Sequence, residues 1–129
     1  MLTSLLIGHF LMSTVSASEH AVSAGLGNYY GGLGVAYTYS PIVGLGLQAG
    51  VGLGGLGLGA RWQPTWLSGG YAQAGLVGLG GDGYHPNMVV GGKWNLGRSD
   101  VFLDANGGIA VSLAGRWWTV WDVGVGVGF

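Results

Sequence analysis

Side chains able to do chemistry are few, because the 129 residues include only 4 Lys or Arg, 5 Asp or Glu, 3 His and no Cys. The lack of cysteine excludes disulfide scaffolds and thiolate metal sites. Asp82 and His85 share a Gly-rich stretch and could hold a metal ion or act in hydrolysis. No third ligand stands near them in the sequence, so a solvated loop is the simpler interpretation. We therefore expect no catalytic residue, no metal and no cofactor.

The overall composition indicates that water is not the only solvent around the folded protein. Charged residues make up 7% of the chain, against about 25% in ordinary soluble domains. The formal charge of -1 and the lack of a basic stretch exclude nucleic-acid binding. With 49% hydrophobic and 12% aromatic residues, the chain can bury enough apolar surface to fold, so it is not expected to be disordered.

The first residues resemble a secretory signal peptide. An apolar run from Leu5 to Met12 precedes the small residues Ser13 to Ala17, which suggests cleavage after Ala17. The run is shorter than the roughly 20 residues that a spanning helix needs. An alternative is a short anchoring or buried helix. We expect residues 1–17 to be a signal peptide and residues 18–129 to form a single domain.

Beyond the leader the dominant period of the apolar residues is two. In the segment Val43–Leu53 the odd positions hold apolar side chains and the even positions hold Gly or Gln. Strict alternation is typical of a strand. A helix over the same segment would carry four glycines, each costing about 1 kcal/mol relative to Ala. The segment is therefore predicted to be a β-strand.

The same alternation predicts eight strands that are joined by Gly, Pro, Asn and Asp turns. Their predicted ranges are Val22–Asn28, Leu33–Tyr39, Val43–Leu53, Leu56–Trp62, Gly70–Leu79, Met88–Leu96, Val101–Leu113 and Trp117–Phe129. The apolar phase of the fifth strand changes near Gly75, where a β-bulge would restore it. The expected fold is all-β, an eight-stranded antiparallel up-and-down transmembrane β-barrel.

The residues on the second face of each predicted strand distinguish a membrane barrel from a soluble sandwich. In a soluble sandwich the second face of each strand would be charged or polar. Here that face is mostly Gly, Ala, Ser, Asn and Gln. A membrane barrel turns its long apolar side chains toward lipid and its small and polar ones toward the lumen. The sequence fits this inverted arrangement better.

Aromatic residues cluster near the predicted strand ends, as in the interfacial girdles of membrane barrels. The expected interfacial aromatics are Tyr30, Tyr37, Tyr39, Trp62, Trp66, Trp94, Trp117 and Trp121. A general preference of Trp and Tyr for strand ends is the alternative explanation.

The last strand carries the most specific motif. Val125, Val127 and Phe129 alternate with Gly and end on an aromatic residue. This pattern resembles the terminal signature of small bacterial outer-membrane β-barrel proteins, and the architectural resemblance covers the whole mature chain. The resemblance implies the outer membrane of a Gram-negative bacterium, with the lipid bilayer and the barrel-assembly machinery as partners.

The strand phase also predicts a network of charges in the lumen, formed by Arg61, Lys93, Asp104 and Asp122. A symmetric hairpin around Gly97 would place Lys93 directly opposite Asp104. Two cations and two anions balance the interior, as a buried set requires. The simpler interpretation is a polar plug that fixes the strand register, and the functional alternative is a charged constriction that selects permeants.

These features predict an outer-membrane barrel with a structural or interfacial role. An eight-stranded barrel is just wide enough to be filled by side chains, and Tyr71, Phe102, Trp118 and the charged residues would fill it. The alternatives are a minimal channel for small solutes, a Gly-rich secreted protein that assembles into cross-β layers, and a lipid-modifying enzyme using Asp82 and His85.

Overall fold

The computed structural model describes residues 20–64, 66–79, 83–97 and 99–129. Eight strands follow one another: β1 (His20–Gly27), β2 (Gly32–Ile42), β3 (Leu45–Gly52), β4 (Gly55–Trp62), β5 (Gly70–Leu79), β6 (Tyr84–Asn95), β7 (Val101–Val111) and β8 (Trp117–Gly128). They pair in chain order and close into an antiparallel barrel. The predicted all-β, eight-stranded up-and-down barrel is confirmed. The expected leader, residues 1–17, lies outside the described residues.

Side-chain exposure shows which face of each strand points outward. On β8, Val123, Val125 and Val127 are exposed, whereas the alternate residues Asp122 and Gly124 are buried. The strands alternate in this way because successive side chains of a strand point to opposite faces. Long apolar side chains thus cover the outside, and polar side chains lie inside. No described segment forms a helix long and apolar enough to cross a bilayer.

Two strands extend three or four residues beyond the predicted limits at one of their ends. β2 continues past Pro41 to Ile42, and its register with β3 shifts between Tyr39 and Ile42. Proline cannot donate to a ladder, so a bulge is one of the few places where a strand tolerates it. β6 begins at Tyr84 rather than at Met88. The predicted loop from Gly80 to Asn87 is therefore largely strand where the structure describes it.

The predicted bulge at Gly75 is wrong. β5 keeps one continuous register with β4 from Leu79 to Ala72 and with β6 from Gly70 to Gly78. The apolar phase changes for another reason, because Val77 points into the barrel and packs in a buried cluster with Val89, Ala110 and Val120. This apolar layer fills part of the lumen.

The barrel has two distinct ends. The chain enters at His20 and leaves at Phe129 on the same side, which we call the terminal end, and their backbones exchange two hydrogen bonds, of 3.2 and 2.9 Å. The opposite side, the far end, carries the turns β1–β2, β3–β4, β5–β6 and β7–β8. β3 and β4 have 8 residues each, whereas β6 and β8 have 12. The wall is therefore shorter at the β3–β4 hairpin.

Candidate functional site

A buried arginine organises the polar part of the lumen. The ladder pairs Arg61 on β4 with Gln73 on β5, and the Arg61 Nε–H donates to Gln73 Oε1 at 2.8 Å. Arg61 Nη2 donates to Gln48 Oε1 at 3.3 Å, and the Gln73 amide donates to the same oxygen at 2.8 Å. Arg61 is only 2% exposed. The two glutamines thus accept hydrogen bonds from a guanidinium that is almost fully buried.

Asp104 neutralises this arginine from the other side of the lumen. Arg61 Nη1 donates to Asp104 Oδ2 at 2.7 Å. The Tyr71 hydroxyl donates to the second carboxylate oxygen, and Asn106 Nδ2 donates to the Tyr71 hydroxyl at 3.0 Å. The guanidinium also lies over the Tyr71 ring, 3.7 Å from its centroid. Charge-assisted hydrogen bonds of this kind are the strongest in proteins.

Lys93 lies opposite Asp104 in the β6–β7 ladder but does not form the ion pair. Its Nζ sits 4.1 Å from the centroid of the Phe102 ring, and Arg61–Asp104 is the only ion pair among the described residues. The planar fork of arginine matches a carboxylate better than a single ammonium does, and β4 brings that fork across the lumen. The register predicted from the sequence thus does not identify the partner.

Asp122 is buried without a cation beside it. Its Oδ1 accepts the backbone N–H of Tyr29 at 2.7 Å. Oδ2 of Asp122 and Oδ1 of Asn106, its ladder neighbour on β7, have no hydrogen-bond partner among the described residues. The four predicted lumen charges therefore form one ion pair and two separate charges rather than two pairs.

The turn between β1 and β2 folds into the lumen, which the sequence did not predict. Tyr29 is 1% exposed and Tyr30 2% exposed, so the expected interfacial position of Tyr30 is wrong. The Tyr29 hydroxyl donates to Asn87 Oδ1, and the Tyr30 hydroxyl donates to Ser23 Oγ at 3.0 Å. Gly31, at a φ of 62°, closes the turn with a hydrogen bond to Asn28. We call residues 28–31 the inner turn.

Glycines on the facing strands make room for the inner turn. A Cβ placed on Gly124 would lie 2.1 Å from the Tyr30 hydroxyl oxygen. A Cβ on Gly57 would lie 2.8 Å from the Tyr29 Cα, and a Cβ on Gly50 would lie 1.8 Å from the Tyr29 carbonyl oxygen. The alternating glycines of β3, β4 and β8 thus form a cradle for two aromatic residues.

Burial determines the ionisation of the two tyrosines in this turn. Desolvation raises the pKa of both the Tyr29 and the Tyr30 phenols above their usual value. The neighbouring polar side chains of Gln73 and Ser23 oppose that shift without cancelling it. Both hydroxyls therefore stay protonated at neutral pH and remain donors inside the barrel.

Of the two candidate catalytic residues, Asp82 and His85, the structure describes only His85. Asp82 lies outside the described residues. The His85 ring meets the Trp118 ring edge to face at 4.9 Å, and its Nδ1 is buried without a hydrogen-bond partner among the described residues. Where the structure describes the chain, no three His, Cys, Asp or Glu side chains are grouped to hold a metal ion.

The other predicted interfacial aromatics lie on the outer surface. Exposed side chains include Tyr37, Trp62, Trp66, Trp94, Trp117 and Trp121, and Tyr39 is half-buried. Trp62 and Trp66 meet edge to face at 6.3 Å. Phe129 is exposed at the terminal end and stacks on His20 with 5.8 Å between ring centroids.

The outer wall also carries an open groove. It has a volume of about 490 Å³ and is lined by Tyr37, Ala49, Leu58, Ala60 and Ala74 among others. Alanines on three neighbouring strands form its floor. No charged side chain lines it, so the groove is continuous with the apolar outer surface and offers no group for chemistry.

Comparison with known proteins identifies no relative. No protein-family model, no curated protein and no solved structure matches the chain.

Proposed function

We propose that the protein is an integral β-barrel of the outer membrane of a Gram-negative bacterium, with a closed lumen and a structural or interfacial role. One observation carries this proposal. The exposed outer surface is built from long apolar side chains, including Leu47, Leu58 and Val125, while Arg61 and Asp104 are buried inside. In water this distribution would expose far more contiguous apolar surface than soluble monomers tolerate. In a bilayer the same distribution places the apolar side chains against lipid and the charged side chains inside the lumen.

Two layers of side chains support a closed lumen. The layer toward the terminal end is polar and consists of Arg61, Asp104 and their hydrogen-bond partners. The layer toward the far end is apolar and includes Tyr29, Val77 and Val120. A path for solutes would have to displace both layers, so a structural role accounts for the arrangement better than a channel does.

The barrel-assembly machinery and the lipid bilayer are the proposed partners. Such machinery would need an edge strand that offers alternate side chains to pockets. Until β8 pairs with β1, its outward face offers such side chains, namely Val125 and Val127 with Phe129 directly after them. The proposed structural role involves no enzymatic activity.

A refolding assay tests membrane insertion. Protein lacking residues 1–17 is unfolded in urea, diluted into detergent micelles or lipid vesicles, and analysed on gels with and without boiling. We expect the unboiled protein to migrate at a different apparent mass, to resist protease and to float with vesicles. Equal migration in both lanes, together with sedimenting fibres in the absence of lipid, would instead support the cross-β alternative.

Planar-bilayer recording tests whether the lumen is closed. We expect the inserted protein to give no stable current steps. Reproducible single-channel steps from protein that passes the gel assay would replace the structural role with the minimal channel for small solutes.

A further inference from the structure

The far end of the barrel places leucines where water-facing turns normally carry polar residues. Leu53, in the β3–β4 turn, is 89% exposed, and Leu113, in the β7–β8 turn, is 98% exposed. Turn tips that face water favour Gly, Asn, Asp, Ser and Pro. Two nearly fully exposed leucines at such tips indicate surroundings that are not simply aqueous.

The far-end turns contain an exposed arginine next to a tryptophan. Among the described residues of the four far-end turns, Arg116 carries the only charge. It is exposed, and its hydrogen bonds with other described residues use only its backbone, with Ser112. Trp117 follows it and is also exposed. A leucine, a tryptophan and a free guanidinium side by side are the residue types that anchor segments to a membrane interface.

The length of the β3–β4 wall places the Leu53 tip close to the level of the lipid headgroups. β3 and β4 have 8 residues each. Eight residues at about 3.3 Å each, tilted by about 40°, rise about 20 Å. The apolar band of membrane barrels is about 25 Å tall. Because the β3–β4 wall is shorter than this band, Leu53 at its tip would lie within the apolar band and not beyond it.

The positions of the two leucines favour a surrounding lipid layer over a protein partner. The β3–β4 and β7–β8 hairpins are four strands apart in an eight-stranded barrel, so Leu53 and Leu113 lie on opposite sides of the far mouth. They form no common patch for a protein to bind. A bilayer surrounds the whole rim and reaches both at once, and its phosphates complement the charge of Arg116.

We propose that Leu53 and Leu113 insert into the lipid interface around the far end and that Arg116 binds lipid phosphate there. The far end then lies within the headgroup region and does not project into water. This inference rests on the proposed membrane insertion and specifies the partner of the far end as the phosphate-bearing face of the bilayer.

Single-cysteine labelling tests the proposal directly, because the chain has no native cysteine. Leu53→Cys and Leu113→Cys are labelled with an environment-sensitive fluorophore and refolded into vesicles of phosphatidylethanolamine and phosphatidylglycerol. Ser99→Cys, in the exposed β6–β7 turn at the terminal end, is the matched control. Each variant first has to pass the gel-shift and flotation assays, so that failure of membrane insertion is recognised separately.

We expect blue-shifted emission at positions 53 and 113 and quenching by aqueous iodide that is several-fold weaker than at position 99. Adding Arg116→Gln should increase quenching at position 113 and leave position 53 unchanged. Equal quenching at all three positions in floated, heat-modifiable protein would overturn the inference while leaving the membrane barrel intact. If quenching at position 113 does not change after Arg116→Gln, the proposed contact between Arg116 and lipid phosphate is wrong.

Discussion

Arg61 and Asp104 form a buried ion pair across the lumen, with 2.7 Å between Nη1 and Oδ2, although they lie 43 positions apart in the chain. Gln73 and Gln48 accept two further hydrogen bonds from the guanidinium, and the Tyr71 hydroxyl donates to the second carboxylate oxygen. Both charged side chains are buried. Loss of either partner would therefore leave a charge that the barrel cannot solvate.

The first prediction separates this ion pair from the lysine that faces Asp104 in the ladder. We expect Arg61→Met to destabilise the barrel by about 3–5 kcal/mol, the usual cost of leaving one buried charge without its partner. Lys93→Met should cost much less, since its ammonium contacts the Phe102 ring rather than a carboxylate. Urea unfolding in micelles, followed by tryptophan fluorescence, measures both.

The double variant Arg61→Met with Asp104→Leu is the control for this experiment. Replacing both charges with apolar groups should restore much of the stability lost in Arg61→Met. Equal losses for Lys93→Met and Arg61→Met would contradict the pairing.

A second prediction concerns the glycine cradle of the inner turn. Gly124→Ala should destabilise the barrel by about 1–3 kcal/mol, the range for overpacking a core, because the new methyl group meets the Tyr30 hydroxyl oxygen. Gly107→Ala is the matched control on the neighbouring strand, where the nearest atom to a new Cβ is 3.8 Å away. Unfolding midpoints in urea compare the two.

The energetic coupling between Gly124 and Tyr30 tests whether a clash with Tyr30 causes the loss of stability in Gly124→Ala. Gly124→Ala should cost clearly less in a Tyr30→Ala background, because the clash is then absent, and a double-mutant cycle measures this difference. Additive effects would show that Tyr30 does not pack against Gly124.

A third prediction follows from the burial of Tyr30. Because its pKa is raised in the folded state, its contribution to stability is complete below the ordinary tyrosine value of about 10. That contribution is lost as the pH rises through the folded value. We expect the unfolding free energy to fall above about pH 10, and to fall less in Tyr30→Phe.

At neutral pH Tyr30→Phe should lower the free energy of unfolding by about 1 kcal/mol, because the hydrogen bond to Ser23 is lost. Identical alkaline profiles for wild type and Tyr30→Phe would argue against a buried phenol at this position.

The fourth prediction concerns Phe129 and the proposed assembly machinery. In a Gram-negative host, Phe129→Ala should reduce the heat-modifiable protein in the outer-membrane fraction several-fold, because an exposed aromatic recognition group is lost. Refolding of the purified variant into micelles should remain close to wild type. Val101→Ala, which removes the exposed ladder partner of Val127, is the control for a simple loss of outer apolar surface.

Different outcomes distinguish recognition from stability. If Phe129→Ala refolds as poorly in micelles as it assembles in cells, then Phe129 acts through barrel closure, where its ring stacks on His20.

Local patterns in the sequence were sufficient for the architecture. The period of two in Val43–Leu53 and its repeats predicted eight strands in an up-and-down order, because a strand turns alternate side chains to opposite faces whatever it packs against. The β6–β7 hairpin register, with Lys93 opposite Asp104, also followed from the turn between them. These are relationships between neighbours in the chain.

Contacts across the lumen could not be predicted in this way. Arg61 reaches Asp104 and Tyr30 reaches Gly124 only because the sheet closes on itself and brings opposite walls within a side chain's length. The inward fold of Tyr29 and Tyr30 depends on glycines from β3, β4 and β8, which no local pattern connects to the β1–β2 turn. The sequence by itself therefore determined the strands, their order and their two faces, whereas the tertiary structure decided which residues fill the barrel, because side chains from opposite walls meet only after closure.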